Sequence, residues 1–156
     1  MKGTSGFTLV ELITTVAVMA TLSLVSYPAL ESWQGKEKKR AEIRELVSSL
    51  MLAKMEAIKE NKYVVMQFGE SGYKAFVDDG ANGGTARDWV CQPGEREFVN
   101  HTNIDGLALN SNFPSDRMRF KGRVGIRAGS VIFSENDNDF AKVVLSITGR
   151  VRVEKL

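Results

Sequence analysis

Glu11 is the one charged residue in a 24-residue run, residues 7–30, that reads FTLVELITTVAVMATLSLVSYPAL. A carboxylate in so apolar a segment is costly unless a cation pairs with it. Its chemistry is that of an ion pair awaiting a partner. A second set of candidates is cationic. Arg117, Arg119, Lys121 and Arg123 alternate along RMRFKGR, Arg127 follows, and Arg150 and Arg152 alternate near the end of the chain. Alternate residues of an extended strand share a face. Two readings fit these cations: the solvated faces of two strands, or a groove for a phosphate backbone. A third set is rich in oxygen. Asp78, Asp79, Asn82 and Asp88 are weak candidates for calcium ligands, because their spacing is not that of an EF-hand. Turns stabilised by Asx side chains account for the same residues.

Enzyme chemistry has little to work with. The lone histidine, His101, sits in a polar stretch that reads as a solvated loop. The lone cysteine, Cys91, beside Trp89 and Val90, reads as a small buried hydrophobe rather than a nucleophile, and it permits no intramolecular disulfide. No G-x-S-x-G, Walker A, H-E-x-x-H or C-x-x-C pattern occurs. The glycine-rich DDGANGG (residues 78–84) lacks the following helix and Lys-Ser/Thr that a phosphate loop needs. The sequence predicts no enzyme and no cofactor.

The elements that position these residues follow from composition and period. The chain has 156 residues and a net charge of +2, which suits one modest domain plus an accessory element. The charge is uneven: residues 61–116 carry 4 Lys/Arg against 8 Asp/Glu, and residues 117–156 carry 9 against 4. A basic C-terminal quarter points to an anionic partner. As a helix, residues 7–30 would span about 36 Å, enough for a bilayer core of roughly 30 Å. Helix formers dominate residues 31–60, with an apolar stripe at Ile43, Leu46, Val47, Leu50, Ala57 and Ile58. One long helix over residues 7–60 is predicted, kinked at Pro28. Lys36, Lys38, Lys39 and Arg40 suit either anionic headgroups or a solvated helix face.

Beyond residue 60 the period changes to strands. YVVMQF and YKAFV, joined by GESG, read as a hairpin. Shorter strands are predicted at Arg96–Val99, Leu107–Leu109, Arg117–Phe120, Val131–Phe133, Ala141–Ile147 and Arg150–Val153. Asn136–Asp139 form a hairpin tip. In this reading Met118, Phe120, Val151 and Val153 face the core. The expected fold is α+β: a long N-terminal helix packed on an antiparallel β-sheet domain, residues 61–156.

These residues carry a resemblance. Lys2-Gly3-Thr4-Ser5-Gly6 followed by Phe7-Thr8-Leu9-Val10-Glu11 resembles the class III signal of type IV pilins and type II secretion pseudopilins. In that family a prepilin peptidase removes the leader, here residues 1–6, by cutting after the Gly. It then methylates the new N-terminal residue, here Phe7. Pro28 sits where family members commonly carry a helix-kinking proline. The resemblance implies that Glu11 pairs with the Phe7 amine, most plausibly that of a neighbouring subunit, and so favours insertion into a filament. GYKAFVDDGANGGTARDW, GEREF and VVLSITGRVRV further resemble GspH/FimT-type minor pilins and pseudopilins, which sit at or near filament tips. Many pilins close a C-terminal loop with a disulfide, and this chain departs from them. The implied partners are other pilin subunits, the prepilin peptidase, the inner membrane, and DNA or a secreted protein. The implied location is a single-pass inner-membrane protein with a periplasmic domain. Gly149-Arg150-Val151-Arg152 resembles the ending with which FimT-type pilins of natural transformation bind DNA. By that comparison Arg150 and Arg152, with Arg119, Lys121 and Arg123 as neighbours, are the DNA-binding candidates.

Overall fold

The computed structural model describes residues 6–102, 106–122, 124–125 and 127–156; for residues 24–29, 124 and 125 the description is of backbone alone. Leu9–Glu60 form one helix, α1. The chain divides into two compact units, residues 1–41 and 42–156, so residues 42–60 of α1 belong to the second. The helical assignment runs through Pro28, whose side chain lies outside the described set.

α1 begins where a cap is available. The Thr8 hydroxyl accepts the Glu11 N–H at 3.2 Å, and the Thr8 carbonyl accepts the Leu12 N–H at 3.2 Å. Thr8-Leu9-Val10-Glu11 matches the S/T-x-x-E capping pattern. Over residues 12–23 the helix carries no charged side chain, which suits burial in lipid or among other helices. Its hydroxyls do not spoil that character. Thr14, Thr15 and Thr21 donate to the carbonyls of Glu11, Leu12 and Val18 at 3.0, 2.9 and 2.8 Å. A hydroxyl satisfied inside its own helix carries no unmet bond into an apolar medium. Among the described residues, no helix is long and apolar enough to cross a membrane. The span expected at residues 7–30 includes residues 24–29, whose side chains lie outside that set.

The second unit opens with residues 42–60 of α1, which ends before Asn61 in the left-handed region at φ 53°. Nine strands follow among the described residues. β1 (Tyr63–Gly69), β2 (Gly72–Val77), β3 (Glu97–Thr102), β5 (Arg117–Lys121) and β6 (Val124–Gly125) form one sheet in the order β3-β2-β1-β5-β6. β4 (Ala108–Ser111), β7 (Gly129–Glu135), β8 (Asn138–Leu145) and β9 (Val151–Lys155) form another in the order β4-β7-β8-β9. All pairings are antiparallel. The β7–β8 turn is built by Asn136 and Asp137, both at positive φ (49° and 63°). These are residue types that tolerate the primed turn a twisted hairpin requires. The Leu109 N–H donates to the Glu70 carbonyl at 3.0 Å and ties the second sheet to the β1–β2 turn.

The core lies between α1 and the sheets. Leu46, Leu50, Ala53 and Ala57 contribute the helical stripe; Val64, Met66, Met118, Phe120, Phe133, Val143 and Leu145 contribute the strand faces. The stripe differs from expectation at two places. Ala53 belongs to it, and Ile58 is 43% exposed, because 100° per residue carries Ile58 past the buried face that Ala57 occupies. Met118 and Phe120 face inward as expected. Val153 pairs with the buried Val143 yet is 44% exposed, since β9 is an edge strand with nothing beyond it. The first sheet also buries residues on its other face. Val65 and Phe76 are fully buried but lie outside the main cluster.

Candidate functional site

Two regions carry the predicted chemistry. The first is the start of α1. Residues 1–5 of the leader lie outside the described residues, and the structure begins at Gly6. Phe7 is 84% exposed, and Glu11 stands exposed in the first helical turn. A carboxylate there opposes the positive end of the helix dipole. Glu11 therefore has a local role, at the third helical position after the Thr8 cap, beside any role between subunits. Treating Glu11 only as a charge hides this; the T-x-x-E spacing reveals it.

The second region is the outer face of β5 and the loop of residues 78–96. β5 alternates as expected, with Met118 and Phe120 inward and Arg117, Arg119 and Lys121 outward. Arg119 is not a solvated cation. Its side chain is 12% exposed, and its Nη1 lies 3.4 Å from the fully buried carboxylate of Asp78. Its guanidinium lies 3.9 Å from the Trp89 ring centre and 4.5 Å from that of Tyr63. Arg127 lies over Trp89 at 4.2 Å, while Arg87 and Lys121 lie 5.0 and 5.1 Å from the Tyr63 ring. The adjacent cations lower the Tyr63 phenol, chiefly through its bond with Lys121. Arg123 lies outside the described residues.

The loop is held by carboxylates whose bonds are local. Asp78 accepts the backbone N–H groups of Arg87 (2.5 Å) and Trp89 (3.2 Å). Buried Glu95 accepts those of Gly80 (3.1 Å) and Gln92 (2.9 Å). Asp88 accepts from the Val90 N–H (2.8 Å) and the Gln92 side-chain amide. Asp79 accepts from the Ala81 N–H (3.2 Å) and from Lys62 Nζ (2.7 Å), and Lys62 holds the carboxyl below its usual range. Gly80 must be glycine: its φ is +66°, and a Cβ would fall 2.6 Å from the Ala86 nitrogen. Asp78, Asp79 and Asp88 thus serve as turn and loop anchors, and Asn82 is exposed at φ 55°. Among the described residues, no group of three His, Cys, Asp or Glu side chains is placed to hold a metal ion.

The C-terminal candidates lie on the other sheet. Arg150 precedes β9, exposed, with its backbone N–H bonded to the Ser146 hydroxyl at 3.1 Å. Arg152 is exposed on the β9 edge and pairs with Glu154. The Arg117–Lys121 set and the Arg150–Arg152 set therefore belong to different sheets.

His101 and Cys91 differ from their sequence readings. His101 is half-buried on β3; it bonds Glu42 at 2.9 Å and stacks on Tyr73 with 5.1 Å between ring centres. A distant helix carboxylate, invisible in the local sequence, holds it. Cys91 lies half-buried in the polar loop with its Sγ 4.0 Å from Glu97, and burial pushes its thiol up.

The fold agrees with what known proteins show. The model of a family described as type II transport protein GspH matches residues 42–149, well over half of the chain. That of a prokaryotic N-terminal methylation motif matches residues 1–27. No curated protein matches. Two crystal structures of the type IV minor pilin FimU of Pseudomonas aeruginosa strain PAO1 are similar in fold. The P21 form has 15% identity and a TM-score of 0.55, over 74% of this chain and 87% of that one. The P65 form has 15% identity and a TM-score of 0.54, over 74% and 91%. The chain belongs to the type II transport protein GspH family, as a pilin-like structural subunit and not an enzyme.

Proposed function

We propose that this subunit is held in the bacterial inner membrane by residues 7–30 with residues 42–156 in the periplasm. A prepilin peptidase cuts it between Gly6 and Phe7 and methylates Phe7. It then joins a type II pseudopilus or type IV pilus as a minor component at or near the tip. The observation that carries this reading is the uncovered apolar start of α1. Leu9, Val10, Leu12, Ile13, Met19 and Leu22 are each 57–76% exposed on the isolated chain. Six such side chains on one helix need lipid or neighbouring helices around them. Assembly exchanges the first for the second, and Glu11 then meets the Phe7 amine of an adjacent subunit. Co-expression with the cognate peptidase and assembly machinery, followed by immunoblotting of sheared filaments, tests it. The subunit is expected in the filament fraction, and its confinement to the membrane fraction would count against the reading.

A second reading, DNA capture for transformation, rests on Arg150 and Arg152 and on exposed Lys121. Arg119, engaged with Asp78, has little to give it. Contacts to phosphates alone would make binding sequence-tolerant and strongly salt-dependent. Replacing Arg150 and Arg152 by Gln should then reduce the log-affinity slope against log-salt by up to about 2. An unchanged slope would remove this reading.

A further inference from the structure

Three guanidiniums, those of Arg117, Arg119 and Arg127, gather at the outer face of β5 and around Trp89. Arg119 takes Asp78. Arg117 and Arg127 have no carboxylate partner among the described residues, and the Nε atoms of Arg117 and Arg119 are buried without any hydrogen-bond partner. The nearby acids are already engaged: both Asp88 oxygens accept bonds within the loop, and Asp116 accepts from the Ser111 hydroxyl at 2.5 Å. Arg127 is held in place by a bond from its Nη1 to the Pro114 carbonyl at 3.2 Å.

Between these groups lies a cleft of about 220 Å³, lined by Asp88, Trp89, Pro114, Ser115, Arg117 and Arg127. Its rim is strained. The lining residues Trp89 and Ser115 have positive φ (69° and 56°), as do their chain neighbours Arg87 and Asp116 (69° and 52°), and none is glycine. Such residues persist where the surrounding structure holds them, and they gather at ligand sites. Two guanidiniums without a carboxylate partner, one of them with an unmet buried Nε–H, and a strained rim meet at one small opening.

We propose that this cleft is an oxyanion site that accepts a carboxylate side chain from an acidic segment of a partner protein. A carboxylate matches the fork of Arg117, adds a second contact at Arg127, and relieves the repulsion among the three cations. A nucleic acid fits less well. Arg119 and Arg127 lie 3.9 and 4.2 Å from the Trp89 ring centre and already crowd the ring. A base would have to displace one of these cations to stack there.

The test uses the full chain in an uncharged detergent, with Trp33→Phe so that Trp89 reports alone. Titration with hexaglutamate should change Trp89 emission saturably, and added salt should weaken it. Arg117→Gln and Arg127→Gln should each weaken binding about tenfold or more, the loss of a charge-assisted pair. Lys142→Gln, on the other sheet, should leave it unchanged. Should Arg117→Gln fail to fold by circular dichroism, the half-exposed Arg127→Gln decides alone. No response to hexaglutamate, equal binding by the Arg127 variant, or tighter binding of a short single-stranded DNA that the same variants abolish would overturn the proposal.

Discussion

Arg119 and Asp78 meet across the outer face of the first sheet, Nη1 to Oδ2 at 3.4 Å, with the carboxylate fully buried and the arginine nearly so. The pair joins β5 to the head of the 78–96 loop, because the same carboxylate accepts the N–H groups of Arg87 and Trp89. Val65 and Phe76 are buried on that side of the sheet.

Asp78→Asn should therefore destabilise residues 42–156 by about 3 kcal/mol, since Arg119 is left buried without its counter-charge. Denaturant unfolding followed by Trp89 fluorescence measures it. A loss under about 0.5 kcal/mol, typical of a surface change, would show that the aromatic stack alone holds Arg119.

The helical stripe makes a contrasting pair. Leu50 is 2% exposed and Met55 is 64% exposed on the same helix. Leu50→Ala should cost about 2–5 kcal/mol through lost transfer energy and a cavity. Met55→Ala should lie within about 0.5 kcal/mol of the parent. Comparable losses from both, read from urea midpoints, would mean that the buried face is misassigned.

Much of this was legible beforehand, and the exceptions have physical causes. The hairpins at residues 63–77 and around Asn136-Asp137, and the inward Met118 and Phe120, follow from period and turn chemistry, which are local. The surroundings of Arg119 were not legible. An alternating basic strand reads as a solvated face until the loop of residues 78–96, well before it in the chain, is known to fold over it. His101 failed for the same reason, since its partner Glu42 comes from α1. Ile58 failed because a helical stripe drifts and its last member is the least constrained. Glu11 is a different case: its carboxylate stands out in the sequence as a charge, and its capping role follows from the T-x-x-E spacing with Thr8.

Tyr73 gives the second unit a pH dependence. Burial pushes its phenol up to about 12 from the ordinary 10.0; the Ser49 hydroxyl works against this, and the Glu45 and Glu42 carboxylates add to it. Between about pH 10 and about pH 12 the folded chain keeps a proton that the unfolded chain has lost. Stability is thus fully present below the lower value and falls as pH rises through this window. Urea midpoints across the window should decline more steeply for the parent than for Tyr73→Phe. Equal slopes would remove Tyr73 as the cause.

Glu11 and Thr8 separate two roles at the start of α1. Thr8→Ala removes the hydroxyl that caps the helix, a loss of about 1 kcal/mol of local stability, and should leave assembly largely intact. Glu11→Ala removes the charge that would meet the Phe7 amine and should greatly reduce recovery in sheared filaments, while the protein stays folded in the membrane. Normal recovery of the Glu11 variant would mean that its carboxylate matters for the helix start alone.

Processing, on which the proposed role as a filament subunit depends, leaves a covalent record. Intact-mass measurement of protein extracted from membranes that contain the cognate prepilin peptidase reads it directly. A mature chain that begins at Phe7 and carries one added N-methyl group is expected. A chain still bearing Met1–Gly6 under those conditions would contradict that role.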